Sequence, residues 1–199
     1  MAHTTRQEFL DTAERLFAER GFYGVSIAAI SDELGLTKQA LLHHFGSKEK
    51  LYGEVLARIS TRFDALLADS ADAAQDPKAH LIASLATLHA AQGERPAQAK
   101  LLMRELLDNN ARAEGAGNWY LQPFLTRLIA MVKAVPTWAD ASDGEALAAV
   151  YQFLGAITYY GISGPTLTAI FGASHMRATE AAFPDRLRLL VEATLTARR

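Results

Sequence analysis

Between Ser26 and Lys50 the chain reads SIAAISDELGLTKQALLHHFGSKEK, a string that few folds accommodate. Gly35-Leu36 leaves room only for a tight turn. Ile27, Ile30 and Leu34 precede it at helical spacing, and Leu36 and Leu41 follow, so two short helices must pack across it. Ser26 and Thr37 stand where the two helices need N-caps, and Phe45-Gly46-Ser47 closes the second and opens a third. With the apolar set spent on packing, the second helix keeps Thr37, Lys38, Gln39, Leu42 and His43 outward. Hydroxyl, ammonium, amide and imidazole groups on one short helix suit the base edges of a DNA major groove.

The flanking sequence supplies helices to brace this pair. Thr5-Arg6-Gln7-Glu8 has the capping-box form, and Phe9, Ala13, Leu16 and Phe17 follow on one face, which predicts a helix over 5–20 stopped by Gly21. Leu51, Val55, Ile59, Phe63 and Leu66 extend the helix capped by Ser47 to about residue 68. Residues 69–76 read as a loop. Further helices are expected over 77–91, ended by Gly93, then over 95–110, 119–134 and 144–162. A second loop falls at 109–118. A stretch broken by Gly161, Gly164 and Pro165 follows, and Pro184 opens a last helix over 184–198. No strand-period run, repeat or low-complexity segment interrupts this pattern. The expectation is an all-α protein of about nine helices. An N-terminal three-helix helix-turn-helix module (1–48) precedes a helical ligand-binding and dimerisation domain (49–199).

Composition narrows the function. A formal charge of −2 argues against coating nucleic acid indiscriminately, so any DNA contact must rest on a local patch. Residues 1–50 hold six Lys/Arg against seven Asp/Glu, but Thr37–Lys50 holds three lysines against one glutamate. The chain has no cysteine, which excludes disulfides, thiolate metal sites and cysteine nucleophiles. The charged N-terminus lacks the apolar run of a signal peptide, so a cytoplasmic location is expected. Residues 146–176 carry no Lys, Arg, Asp or Glu, but polar residues, glycines and Pro165 break the run. A helix covered by a partner subunit fits it better than a membrane span.

The string AERLFAERGFYGVSIAAISDELGLTKQALLHHFGSKEKLY, from Ala13 to Tyr52, resembles the DNA-binding domain of the TetR/AcrR family of transcriptional regulators. Leu16-Phe17, Gly21, Ile30, Gly35, His44-Phe45 and Ser47-Lys48 before Leu51 carry the likeness. The other three-quarters of the chain resembles the family only in being helical. The resemblance implies a homodimer on a two-fold symmetric operator, most often a repressor, whose DNA affinity changes when a small effector binds the C-terminal domain. It also implies that Thr37, Lys38, Gln39 and His43 face the groove or its rim. His44, Lys48 and Ser26 would lie near phosphate, although His44 also reads simply as a helix-end surface residue. Two positions depart from the family pattern. Leu42 replaces a common tyrosine and cannot donate a hydrogen bond to phosphate, though it can touch a thymine methyl. Val25 replaces a frequent threonine.

Pairing and effector sites must then lie beyond residue 48. Leu147, Tyr151, Leu154, Ile157 and Thr158, with Leu187, Leu190, Val191 and Leu195, form two stripes suited to a four-helix dimer interface. Such pairing sets half-sites about 34–36 Å apart. Leu88, Met103, Leu107, Trp119, Phe124 and Met131, with His89, Arg104, Tyr120 and Arg127, are candidate walls of a mostly apolar pocket. Each reads equally as plain core. The helix from residue 48 onward is the expected transmitter between the two parts.

Catalysis has little footing. No E-x-x-H pair, G-x-S-x-G, phosphate loop or H-E-x-x-H occurs, so no metal or other cofactor is expected. Glu105 and Asp108, beside Arg104, read as a solvated or ion-paired helix face rather than a carboxylate pair. The alternative within the regulator reading is control by a protein partner, or no effector at all.

Overall fold

The computed structural model describes residues 5–69, 76–108 and 120–197. Among them every regular element is helical. These are α1 (Thr5–Arg20), α2 (Ile27–Glu33), α3 (Lys38–Phe45), α4 (Lys48–Asp69), α5 (Pro77–Glu94), α6 (Pro96–Asp108), α7 (Gln122–Ala134), α8 (Asp143–Phe171) and α9 (Ala173–Thr196), with a short 3-10 turn at Pro136–Trp138. The expected loop at 109–118, Trp119 and most of the loop at 69–76 lie outside the described residues; Tyr120 and Leu121 form a turn, so the helix expected from 119 starts at Gln122. Two compact units result. One comprises Met1–Ser60 with Ala97–Leu121, the other Thr61–Pro96 with Gln122–Arg199.

In the first unit, caps and glycines set the helix ends. α1 stops at Gly21, whose φ of +73° a side chain would strain. Ser26 Oγ accepts the Ala29 amide at 3.0 Å and Thr37 Oγ1 accepts the Ala40 amide at 3.1 Å, so both helices of the turn are capped as expected. Gly35, at φ +65°, makes the turn between them. Phe9, Leu16, Phe17, Ile30, Leu41, Phe45 and Leu51 form the buried core. Phe45 meets Phe9 edge-on at 6.2 Å. Ile27, Leu34 and Leu36 are only half-buried.

α6 joins this unit through buried polar contacts. Gln98 Nε2 donates to Glu14 Oε1 at 2.8 Å, and the Tyr52 hydroxyl donates to Glu105 Oε2 at 2.7 Å. Arg58 reaches both Asp11 and Glu14. Burial works against its charge, but the hydrogen bonds to those carboxylates outweigh it and raise its pKa. Glu105 is therefore not on a solvated face, since it is only 4% exposed. The side chain of Asp108 lies outside the described residues.

The second unit departs from expectation at its prolines and at Gly93. Gly93 sits inside α5, which runs on to Glu94. α8 does not stop near 162 but continues to Phe171, 29 residues in all, with Pro165 inside it. The residue before a proline avoids helix because its Cβ meets the proline ring; here that residue is Gly164, which has none. Thr168 and Ser163 hydroxyls also donate to the Gly164 and Tyr159 carbonyls, which steadies the turns around the proline. Likewise Pro184 does not open the last helix. α9 begins eleven residues earlier, after Gly172 at φ +84°, and carries Pro184 in its interior. The core here includes Leu81, Leu85, Leu88, Leu128, Val132, Phe153, Ile157, Leu187, Val191 and Leu195. Trp138 Nε1 donates to the Leu195 carbonyl at 3.2 Å. Among the described residues no helix is long and apolar enough to cross a membrane.

Candidate nucleic-acid interface

The short helix α3 spends two side chains, Leu41 and Phe45, on the core and leaves the rest outside. Lys38, Gln39, Leu42 and His43 are exposed, with Leu42 at 41%. An exposed leucine beside polar groups has no packing role, which leaves it available to a thymine methyl. Thr37 is exposed too, but its hydroxyl is engaged in capping α3. Because capping uses a lone pair, the hydroxyl keeps its own proton for an external acceptor.

Around this helix sit the groups suited to phosphate. The Lys48 ammonium lies 4.2 Å from the centre of the Phe22 ring. That cation–π contact holds its stem while leaving N–H groups outward. Lys48, Lys38 and Ser26 line one open cleft beside the start of α2. His44, on the other flank, is exposed and its ring lies 5.9 Å from that of Phe9. Glu49, the acidic residue among these lysines, has its carboxyl pKa lowered by a backbone hydrogen bond and the Ser47 hydroxyl.

The candidate effector residues are divided between the two units. Met103, Arg104 and Tyr120 belong to the first unit, and His89, Phe124 and Arg127 to the second. Trp119 lies outside the described residues. Arg104 donates to the Glu19 carbonyl at 3.2 Å, and the Tyr120 hydroxyl packs so closely on Gly53 that no side chain fits there. Phe124 is buried against Phe63 at 5.4 Å, and Arg127 grips Asp64 through two bonds, at 2.5 and 2.9 Å. Of these, His89 lines a cavity of about 330 Å³ within the second unit. Burial pushes its imidazole pKa below the usual 6.5. Tyr160 and Glu180 share that lining, and burial followed by the Glu180 charge raises the Tyr160 phenol. Among the described residues no group of three His, Asp or Glu side chains is placed to hold a metal.

Sequence reasoning named His89 but missed the α8 and α9 parts of the lining, which lie near Pro165 and Pro184 and read as helix breaks. It missed the buried bonds of Gln98 and Glu105 because i, i+3 spacing alone does not reveal which face is covered.

Residues 9–55 match the model of the family described as bacterial regulatory proteins, tetR family. The transcriptional repressor AcnR of Corynebacterium efficiens is 44% identical over 48 residues, 24% of this chain and 26% of that protein. The repressor KstR2 of Rhodococcus jostii is 45% identical over 51 residues, 26% of this chain and 25% of its own length. The chain thus spans about a quarter of the length of the relatives it matches. The fold likeness is wider. FadR of Bacillus subtilis, solved with stearoyl-CoA, superposes with a TM-score of 0.72 at 14% identity, covering 97% of this chain and 99% of that one. A TetR-like regulator from Rhodococcus covers 99% of both chains with a TM-score of 0.69 at 20% identity. The matching proteins are transcriptional regulators, not enzymes. Over residues 9–55, this chain is therefore similar to the tetR family of bacterial regulatory proteins.

Proposed function

We propose that the chain is a cytoplasmic transcriptional repressor that binds a palindromic operator as a homodimer and leaves it when a small, mostly apolar effector binds. The observation that carries this reading is the outer face of α3, where Lys38, Gln39, Leu42 and His43 stand exposed on a helix anchored by Leu41 and Phe45. Gln39 reads a base edge, Leu42 touches a thymine methyl, and Thr37 and His43 lie at the groove rim. Ser26, Lys38, His44 and Lys48 meet phosphate and set the register without reading sequence. DNA contact thus belongs to residues 1–48, and effector binding and pairing to 49–199.

Pairing is supported by apolar side chains left outside on the last two helices. Tyr151, Tyr159, Ile170 and Phe171 of α8, with Leu189 and Leu190 of α9, are 38–71% exposed. An exposed apolar set of this size on adjacent elements fits a subunit interface. Ile157, Leu187, Val191 and Leu195 are instead spent inside the subunit. Release by a small molecule is supported by the second-unit cavity and by the fold shared with FadR, which was solved with stearoyl-CoA.

Selection of bound sequences from random DNA, followed by sedimentation of the complex, tests the proposal. The expected product is a palindrome carrying two protomers. Binding without sequence preference, or one protomer per intact site, sinks it.

A further inference from the structure

The cavity in the second unit is an open one bounded by α5, α8 and α9, with Pro96 at its edge, and its polar lining is rich in acceptors. Gln92 is 6% exposed; its amide nitrogen lies 3.4 Å from Thr158 Oγ1, while its Oε1 has no hydrogen-bond partner. The Tyr160 hydroxyl, also buried, has none either. Gly161 keeps the space in front of Gln92 open, since a Cβ there would sit 3.7 Å from Oε1.

The two interior prolines add to this. Proline has no N–H, so Pro165 and Pro184 cannot make the helical bonds to the carbonyls four residues earlier. Those carbonyls belong to Gly161 and Glu180, and both residues line the cavity. Glu180 also brings a carboxylate, while no lysine or arginine is in the lining. His89 and Phe183 stand 4.8 Å apart, and Phe183 stacks on Tyr160 at 3.8 Å. The unpaired Gln92 and Tyr160 oxygens, two carbonyls without their helical proline donors, one negative charge and aromatic rings call for a ligand rich in N–H donors and positively charged.

We propose that this cavity binds a small organic ammonium ion, an apolar body bearing a protonated amine. Its N–H groups meet Gln92 Oε1, the Tyr160 oxygen and the Glu180 side, while the lining rings of His89 and Tyr160, backed by Phe183, flank the apolar body. A carboxylate ligand of the same size would meet the like charge of Glu180 and the unpaired Gln92 oxygen, with the Tyr160 hydroxyl and the His89 N–H as its donors in the lining. The inference rests on the regulator reading for its biological role, since it makes the effector a cation, but the site itself is measurable without DNA.

Isothermal titration of the full-length protein with phenethylammonium, 2-phenylethanol and phenylacetate separates the possibilities. The ammonium ion is expected to bind at least about tenfold more tightly than the alcohol, with no saturation by phenylacetate. Glu180→Gln and Gln92→Leu, each checked for an unchanged helical circular dichroism spectrum, should each weaken the ammonium by about three- to tenfold. Phenylacetate binding as well as the amine, or no heat from millimolar amine, overturns the proposal even if operator binding is intact. Amine binding that leaves operator mobility unchanged supports the site and counts against release by this ligand.

Discussion

Replacing Lys48 by methionine isolates the electrostatic part of DNA binding. Methionine keeps an unbranched stem against Phe22, over whose ring the ammonium lies at 4.2 Å, so the fold loses little. The magnitude follows from counterion release. Thr37–Lys50 carries three lysines, Lys38, Lys48 and Lys50. With Lys50, exposed at the start of α4, counted beside Lys38 and Lys48 as an upper bound, both protomers of a dimer make about six phosphate contacts, for a slope of log K against log salt near −5.4. Between 50 and 200 mM salt, affinity should then fall about 2,000-fold. Lys48→Met leaves about four contacts, a slope near −3.6 and a fall of about 150-fold over the same range. Fluorescence anisotropy of a labelled operator across that range measures both slopes. The variant should weaken specific and random DNA equally, because phosphate contacts carry no sequence information. An unchanged slope, or a loss confined to the specific site, refutes the assignment of Lys48 to the DNA backbone.

Other consequences are open to measurement. Gln39→Ala should cost about 1–3 kcal/mol on the selected operator and little on random DNA, read as lost preference at one base pair in each half-site. Tyr52→Phe removes the buried hydrogen bond to the Glu105 carboxylate, a loss of about 1.5–3 kcal/mol in thermal or denaturant unfolding. His89 has its pKa held below 6.5 by burial, so the unfolded chain binds the extra proton first. Stability that is complete above pH 6.5 is therefore lost as pH falls below it, and His89→Phe should reduce the pH dependence of the melting temperature on the acid side.

The N-terminal helices were legible because their ends are chemical. Ser26, Thr37 and Ser47 cap with their own hydroxyls, and Gly21, Gly35 and Gly46 adopt φ values that side chains resist. Such signals are local, so a single sequence carries them. The outward set on α3 was legible for the same reason, since its packing partners lie within one turn. Farther on, the decisive facts are pairwise and distant. Nothing near Glu105 in the chain announces that Tyr52 donates to it across 53 positions. Pro165 and Pro184 carry strong local meaning, yet Gly164 removes the steric objection to the first and tertiary packing overrides the second. His89 and Phe124 looked alike in sequence, as possible pocket walls. Only packing separates them, one on an open cavity and the other against Phe63.

The attachment of α6 to the helix-turn-helix unit bears on how such proteins recombine. A fusion that takes residues 1–60 as a portable reading head would leave behind Gln98, Leu101 and Glu105, all at most 4% exposed. The graft would carry Glu14 without its amide donor, Tyr52 without the carboxylate it serves, and a bare apolar patch where Leu101 had been. Segments exchanged between regulators of this kind must therefore be discontinuous in sequence, with Ala97–Leu121 travelling alongside the first sixty residues. A crossover at a single point cannot deliver that. In this chain the helix-turn-helix segment and α6 are consequently inherited together far more readily than they are reshuffled.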